Sequence, residues 1–245
     1  MTGKQYFLSG LKDGMPICFG YFAVSFAFGI QAAGIGLSVF EASVLSALNV
    51  TSAGQFAALA IIASGASLIE LAFTQLIINL RYFLMSCALS QKLSPSLPLG
   101  HRLGIAYGMT DEIFAVSVSQ REPLSPFYSY GLIAVAIPGW VLGTALGAAA
   151  GNILPAVLTN ALGIAIYGMF IAIILPPAKE NRVVAGVVVL SMVLSALFTY
   201  LPVLCNISSG FRIIIITLIT AGGAALLFPI PDEPAEPEKE MPHEG

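Results

Sequence analysis

Ile105-Ala106-Tyr107-Gly108-Met109-Thr110-Asp111-Glu112-Ile113-Phe114-Ala115-Val116 is an apolar run interrupted at its centre by a hydroxyl and two carboxylates. A second run, Ser46-Ala47-Leu48-Asn49-Val50-Thr51-Ser52-Ala53-Gly54-Gln55-Phe56-Ala57, carries a neutral polar interruption. A third holds Asn79-Leu80-Arg81 inside Ile77, Ile78, Tyr82, Phe83 and Leu84. Each charge at the centre of a membrane helix costs about 2.5–3.5 kcal/mol or more. Polar residues kept at that cost pair with one another, line a path or hold a polar solute. How these interruptions are read decides both the fold and the site.

Composition sets the solvent. Hydrophobic residues make up 57% of the chain and charged residues 9%, with a mean hydropathy of +0.90. A soluble domain carries about 25% charged residues, so this chain is an all-α protein dissolved in lipid. Its 10 basic and 13 acidic side chains give a net charge of −3, but the stretch from Asp232 onward holds six of the acids and one lysine. The membrane body is therefore slightly basic, with no patch suited to nucleic acid. The cysteines Cys18, Cys87 and Cys205 lie far apart in apolar surroundings and read as small core residues. With only His101 in a loop and His243 in the tail, neither a metal site nor a Ser-His-Asp triad is expected. No cofactor is expected either.

A membrane helix needs about 20 apolar residues. Candidate segments are 14–37, 40–64, 67–90, 103–119, 127–151, 155–176, 183–203 and 211–228. The first is long and runs into further membrane segments, so it is expected to be an uncleaved anchor rather than a signal peptide. Residues 1–228 form one transmembrane domain. Residues 229–245, prolines among acids, are expected to be a disordered tail. Loop charges choose between two topologies. If all eight segments span, Lys92 and Arg102 face outside, against the positive-inside rule. If the second and fourth segments enter and leave on the same side, Lys4, Lys12, Lys92, Arg102, Arg121, Lys179 and Arg182 are all cytoplasmic and only Arg212 is outside. These two segments are also the interrupted ones. Broken backbone at membrane depth is tolerated where protein or a water-filled cavity covers it. The expectation is six full spans plus two broken or re-entrant segments, with eight plain spans as the alternative.

Candidate site residues follow from the same interruptions. Asn49, Ser52 and Gln55 recur every three residues and share a face if the segment is helical. The neutral alternative is ordinary interhelical hydrogen bonding. Glu70, Thr74 and Arg81 fall on one stripe, with Glu70 about 16 Å from Arg81 along the axis, so Arg81 needs another partner. Asp111 or Glu112 is the obvious supply, and Asn79 points to the other side of the helix. Read as structure, these charges form an ion pair between the third and fourth segments; such pairs add little net stability. Two adjacent carboxylates in a low-dielectric site do not both ionise cheaply, so Asp111 and Glu112 are the candidates to load and unload a proton. Gly139, Gly143, Gly147 and Gly151 repeat Gly-x-x-x-Gly and leave a smooth strip for close helix packing, against a helix of this chain or of another subunit.

The ordered elements Gly10-x5-Pro16-x3-Gly20, Phe26-Ala27-Phe28-Gly29, Thr51-Ser52-Ala53-Gly54-Gln55-Phe56, Asn79-Leu80-Arg81-Tyr82 and Thr110-Asp111-Glu112-Ile113-Phe114-Ala115 resemble the AzlC family. This family comprises the large subunits of two-component bacterial exporters of branched-chain amino acids, associated with azaleucine resistance. The resemblance covers about residues 10–228. It implies efflux of valine, leucine or isoleucine, sometimes methionine, across the bacterial cytoplasmic membrane, together with a small AzlD-type membrane partner. On this reading the chain is a multi-pass secondary transporter and not an enzyme. Arg81 binds the substrate carboxylate, Asp111 or Glu112 meets the ammonium group or carries a coupling proton, and Asn49, Ser52, Gln55 and Asn79 orient the substrate. An ion channel filtered by the same charges is the alternative. The absence of a Walker motif argues against ATP coupling within this chain.

Overall fold

The structure, a computed structural model, describes residues 2–120, 123–151, 153, 171, 174–202 and 204–229. Among them the secondary structure is helical: α1 (Gly3–Gly34), α2 (Val39–Leu48), α3 (Ala53–Ala63), α4 (Leu68–Lys92), α5 (Leu99–Tyr107), α6 (Asp111–Val118), α7 (Pro126–Gly151), α8 (Arg182–Tyr200) and α9 (Ser209–Leu227), the last with a π turn at Leu218–Gly222. Five of these, α1, α4, α7, α8 and α9, are long and apolar enough to cross a membrane. The fold is an all-α polytopic membrane protein. The expected segment 155–176 lies mostly outside the described residues, as do Arg121 and the tail beyond Pro229. Helix α1 begins well before the apolar stretch that starts at 14, because Thr2 and Gln5 form a capping box that holds its polar first turns.

Helices α1 and α7 make the rigid spine. Gly10 meets Gly131, Gly14 meets Val135, Cys18 meets Gly139, Phe22 meets Gly143, Phe26 meets Gly147 and Ile30 meets Gly151. Both numbers rise in steps of four, so the two helices run in the same direction, each glycine sitting on the other helix's backbone. A Cβ at Gly147 would fall on the Phe26 carbonyl, and one at Gly29 on the Thr144 carbonyl. The partner of the glycine ladder is therefore α1 of the same chain.

The two interrupted segments are helical hairpins that enter from opposite ends of α4. In the first, α2 descends from the C-terminal end of α1 and α3 returns. Gln55 on α3 donates to Ser46 on α2 at 2.9 Å, and one turn further out Ala42 and Leu59 share a core with Phe28, Ala32 and Ala148. In the second, α5 starts and α6 ends at the C-terminus of α4. There Lys92 donates to the Val118 carbonyl at 2.6 Å, and Arg102 holds Ser90 together with the Leu97 and Ser94 carbonyls. The two hairpins meet near their tips, where the exposed Tyr107 hydroxyl donates to the Ala47 carbonyl. His101 stands in the first turn of α5 rather than in a loop, bonded to the Tyr130 hydroxyl at 2.8 Å.

This arrangement puts Lys4, Lys12, Lys92 and Arg102 at the end where α1 begins and α4 ends. At the opposite end stand Glu41, Glu70 and Arg212. Glu70 is 4% exposed and accepts from Ser208 at 2.5 Å and from the Gly210 amide at 2.8 Å. It thereby satisfies one free N–H group at the start of α9 with a negative charge, the arrangement a helix N-terminus favours.

Candidate functional site

The breaks in the hairpins leave short helices whose N-termini open inside the protein. Helix α6 starts at Thr110, whose hydroxyl accepts from the Ile113 amide at 3.3 Å and fixes the turn. Asp111 and Glu112 are thus the first two residues of α6, where the helix dipole favours carboxylates. Helix α3 starts at Ser52, and no side chain caps it. Ser52 has φ 46° and ψ −93°, the one non-glycine residue at positive φ among those described. Backbone held in such a region costs about 1–3 kcal/mol and concentrates at functional sites.

Arg81, near the middle of α4, joins the two tips. Its Nη1 lies 2.8 Å from Asp111 Oδ2. Its Nη2 donates to the Tyr82 hydroxyl at 2.9 Å, and the guanidinium also lies over the Tyr82 ring at 4.7 Å. The Tyr82 hydroxyl in turn donates to the Thr51 carbonyl at 3.4 Å in the first tip. Arg81 Nε is buried with no hydrogen-bond partner among the described residues. The ion pair is about two-fifths exposed on each side. Pairs this open contribute roughly 0–1 kcal/mol, so stability alone gives no reason for two charges at this depth.

Glu112 faces the same space and is held from α1. The Tyr21 hydroxyl donates to Glu112 Oε2 at 2.5 Å and shares a hydrogen bond with the Thr110 hydroxyl. Tyr21 packs edge-on against Trp140, ring centres 5.3 Å apart. These groups bound a cavity of about 580 Å³. Arg81, Asp111, Glu112, Tyr21, Tyr82 and Thr110 give it a polar side; Ile17, Val24, Val50, Trp140 and Ile174 give it an apolar one, with Pro16, Gly20, Ser52 and Ala53 between.

The remaining expected site residues sit elsewhere. The break at 49–52 removes the common helical face proposed for Asn49, Ser52 and Gln55: Asn49 ends α2, Ser52 caps α3, and Gln55 lies within α3. Ser52 lines the cavity. Gln55 is fully buried with both ends of its amide bonded, accepting from Trp140 Nε1 at 2.7 Å and donating to Ser46, which bonds Thr144 at 2.7 Å. Its role there is to set the plane of the Trp140 ring that walls the cavity. Asn49 and Asn79 both donate to Gln75 Oε1, at 3.2 and 3.0 Å, and Gln75 donates to the Gly54 carbonyl at 2.8 Å. A Cβ at Gly54 would crowd Gln75 and Asn79, so glycine there lets α4 approach the tip.

Tyr21, Gln75, Tyr82 and Trp140 did not stand out in the sequence. Two of them had a usable signal. Tyr82 adjoins Arg81, and Trp140 is the only tryptophan, whose N–H needs a partner when buried. Among the described residues no cluster of three or more His, Cys, Asp or Glu side chains could hold a metal.

Comparison with known proteins agrees with this architecture. The family model described as AzlC protein matches residues 16–154. The chain is 37% identical over 189 residues to an uncharacterized membrane protein of Archaeoglobus fulgidus, covering 76% of this chain and 83% of that one. It is 31% identical over 188 residues to the inner membrane protein YgaZ of Escherichia coli K12, covering 74% and 76%. No solved structure matches it. Helices α1 to α7, which build the cavity's charged face, fall almost entirely within the matched family region, and the chain belongs to the AzlC family.

Proposed function

We propose that this AzlC-family membrane protein is a secondary transporter that exports branched-chain and related aliphatic amino acids across the cytoplasmic membrane. The observation that carries the reading is the cavity where Arg81, Asp111 and Glu112 meet two helix N-termini beside an apolar wall. A free amino acid is a zwitterion with an apolar side chain, and each part has a counterpart here. Arg81 offers its two-pronged guanidinium to the carboxylate, beside the uncapped start of α3. Glu112, held by Tyr21, accepts the ammonium group. The apolar wall takes the side chain, and because one methylene discriminates by only about 1–3 kcal/mol, several aliphatic substrates are admitted.

The same groups supply the coupling. A proton and a substrate ammonium compete for the Glu112 carboxylate, so loading one excludes the other. That exclusion is what exchange of an outgoing amino acid for an incoming proton requires. Asp111 holds Arg81 while no carboxylate is bound and yields it to the substrate. The basic end formed by Lys4, Lys12, Lys92 and Arg102 faces the cytoplasm under the positive-inside rule. The family resemblance further suggests a small AzlD-type membrane subunit as partner.

The test is flux in proteoliposomes, with labelled leucine, valine, isoleucine and methionine, with and without a proton gradient and with and without the small subunit. Saturable flux accelerated by a gradient and by unlabelled substrate on the far side is the expected result. Non-saturating flux without counter-transport would identify a channel instead. Consumption of the amino acid would identify an enzyme.

A further inference from the structure

We infer that Gly20 is the residue that sets the size limit for the substrate side chain, an inference resting on the reading of the cavity as an amino-acid site. The cavity face of α1 consists of Pro16, Ile17, Gly20, Tyr21 and Val24, spaced three and four apart as one stripe of a helix. Every member of that stripe except Gly20 carries a bulky side chain. Many glycines of α1 and α7 are explained by backbone contact: Gly10, Gly14 and Gly29 on α1 each have atoms of α7 where a Cβ would stand. Gly20 differs, since no described atom lies within 4 Å of its Cβ position. Its φ is that of an ordinary helix, so no backbone conformation requires glycine. Glycine in a helix interior costs about 0.5–1 kcal/mol relative to alanine, and among the described residues neither close packing nor an unusual turn accounts for it.

What the missing side chain leaves is a notch in the cavity wall, between Ile17 one turn before and Val24 one turn after. Its neighbour Tyr21 holds Glu112 at 2.5 Å, so the notch opens beside the group that meets the substrate ammonium. An α-amino acid anchored there carries its side chain only one bond from the same carbon, within reach of the notch. Volume added at Gly20 removes room for that side chain and leaves the polar anchors in place.

The experiment is binding to the purified full-length chain in detergent, by calorimetry, with alanine, valine, leucine, methionine and phenylalanine as probes. Wild type, Gly20→Ala, Gly20→Val and Val24→Ala are compared, each first checked for a melting temperature no lower than that of wild type. The expected result is a shift in the size profile. In Gly20→Ala and Gly20→Val the affinity for leucine and methionine falls by about 10-fold or more for each methyl-sized step, while that for alanine stays within about twofold. Val24→Ala shifts the profile the other way and strengthens phenylalanine. If wild type binds the series and Gly20→Val leaves its order and spacing unchanged, the inference is overturned and the amino-acid site stands. If Gly20→Ala lowers the melting temperature, Gly20 is a packing position and the inference is equally overturned. Binding of none of the five by wild type removes the amino-acid reading itself.

Discussion

The two hairpins share a design and differ in what their tips contain. Each enters from one end of α4, breaks near the middle and returns as a short helix whose N-terminus faces the cavity. The first tip is neutral, and most of its polar side chains are consumed inside the protein: Asn49 by Gln75 and Thr51, Gln55 by Trp140 and Ser46. The second tip is charged, and its carboxylates stand in the cavity with one partner each, Arg81 for Asp111 and Tyr21 for Glu112. A neutral network of this kind mainly holds backbone in place, leaving Ser52 and the uncapped start of α3 as what the first tip turns to the cavity. A charged tip with open valences can exchange partners. The difference assigns shape to the first hairpin and chemistry to the second, with Arg81 bridging them.

The largest expected effect breaks that bridge. Lysine at position 81 keeps the charge but lacks the planar fork, so Arg81→Lys loses at least one charge-assisted hydrogen bond to the substrate. Such bonds contribute about 1.5–3 kcal/mol, equivalent to roughly a ten- to hundredfold rise in KM for leucine. An unchanged KM would take Arg81 out of the substrate contact and weaken the contrast between the tips.

Next come the carboxylates. Glu112→Gln keeps the shape and the Tyr21 contact but removes the carboxylate for which proton and ammonium are proposed to compete, so flux should lose its dependence on pH. Asp111→Asn should keep that dependence while altering KM, because it frees Arg81. Proteoliposome flux measured across a pH series separates the two. If both variants respond to pH as wild type does, coupling resides outside the second hairpin.

A smaller effect sharpens the role of the first hairpin. Gln55→Leu leaves the Trp140 N–H without a partner, at about 1–3 kcal/mol for a buried group left unsatisfied, while Ser46 keeps Thr144. It should lower the melting temperature in detergent while leaving the shape of the pH profile intact. A normal melting temperature with abolished binding would instead make Gln55 a ligand group. Smallest of all is Ser52→Gly. Glycine tolerates positive φ without the steric cost, so the variant should be as stable as wild type or more stable by up to about 1 kcal/mol. A clear loss of stability would mean that the serine hydroxyl, not the backbone, matters at this tip.

Local sequence carried much of this. The interruptions at Thr51-Ser52-Ala53-Gly54-Gln55 and Thr110-Asp111-Glu112 mark both breaks, since polar residues in lipid need cover, and the basic loops pointed to re-entry rather than spanning. The need of Arg81 for an anion was legible from the cost of an unpaired guanidinium. The helical register assumed for Asn49, Ser52 and Gln55 was not reliable, because the break itself destroys the periodicity on which the register rests. Gln75 gave no signal: a glutamine on a membrane helix looks alike whether it bonds one neighbour or gathers three, as it does with Asn49, Asn79 and Gly54.

The sequence by itself determined the solvent, the helical class, the positions of the two interruptions and the presence of an arginine that required a carboxylate. These follow from transfer costs, which each residue contributes wherever its neighbours lie. Only the tertiary structure decided that Asp111 rather than Glu112 meets Arg81, that Tyr21 and Tyr82 hold the charges, that Gln55 turns to Trp140, and that the glycine ladder of α7 lies on α1. Those choices depend on which distant segments arrive at the same depth and direction. Spacing along one chain says nothing of that until the parallel pair α1 and α7 and the opposed hairpins are in place.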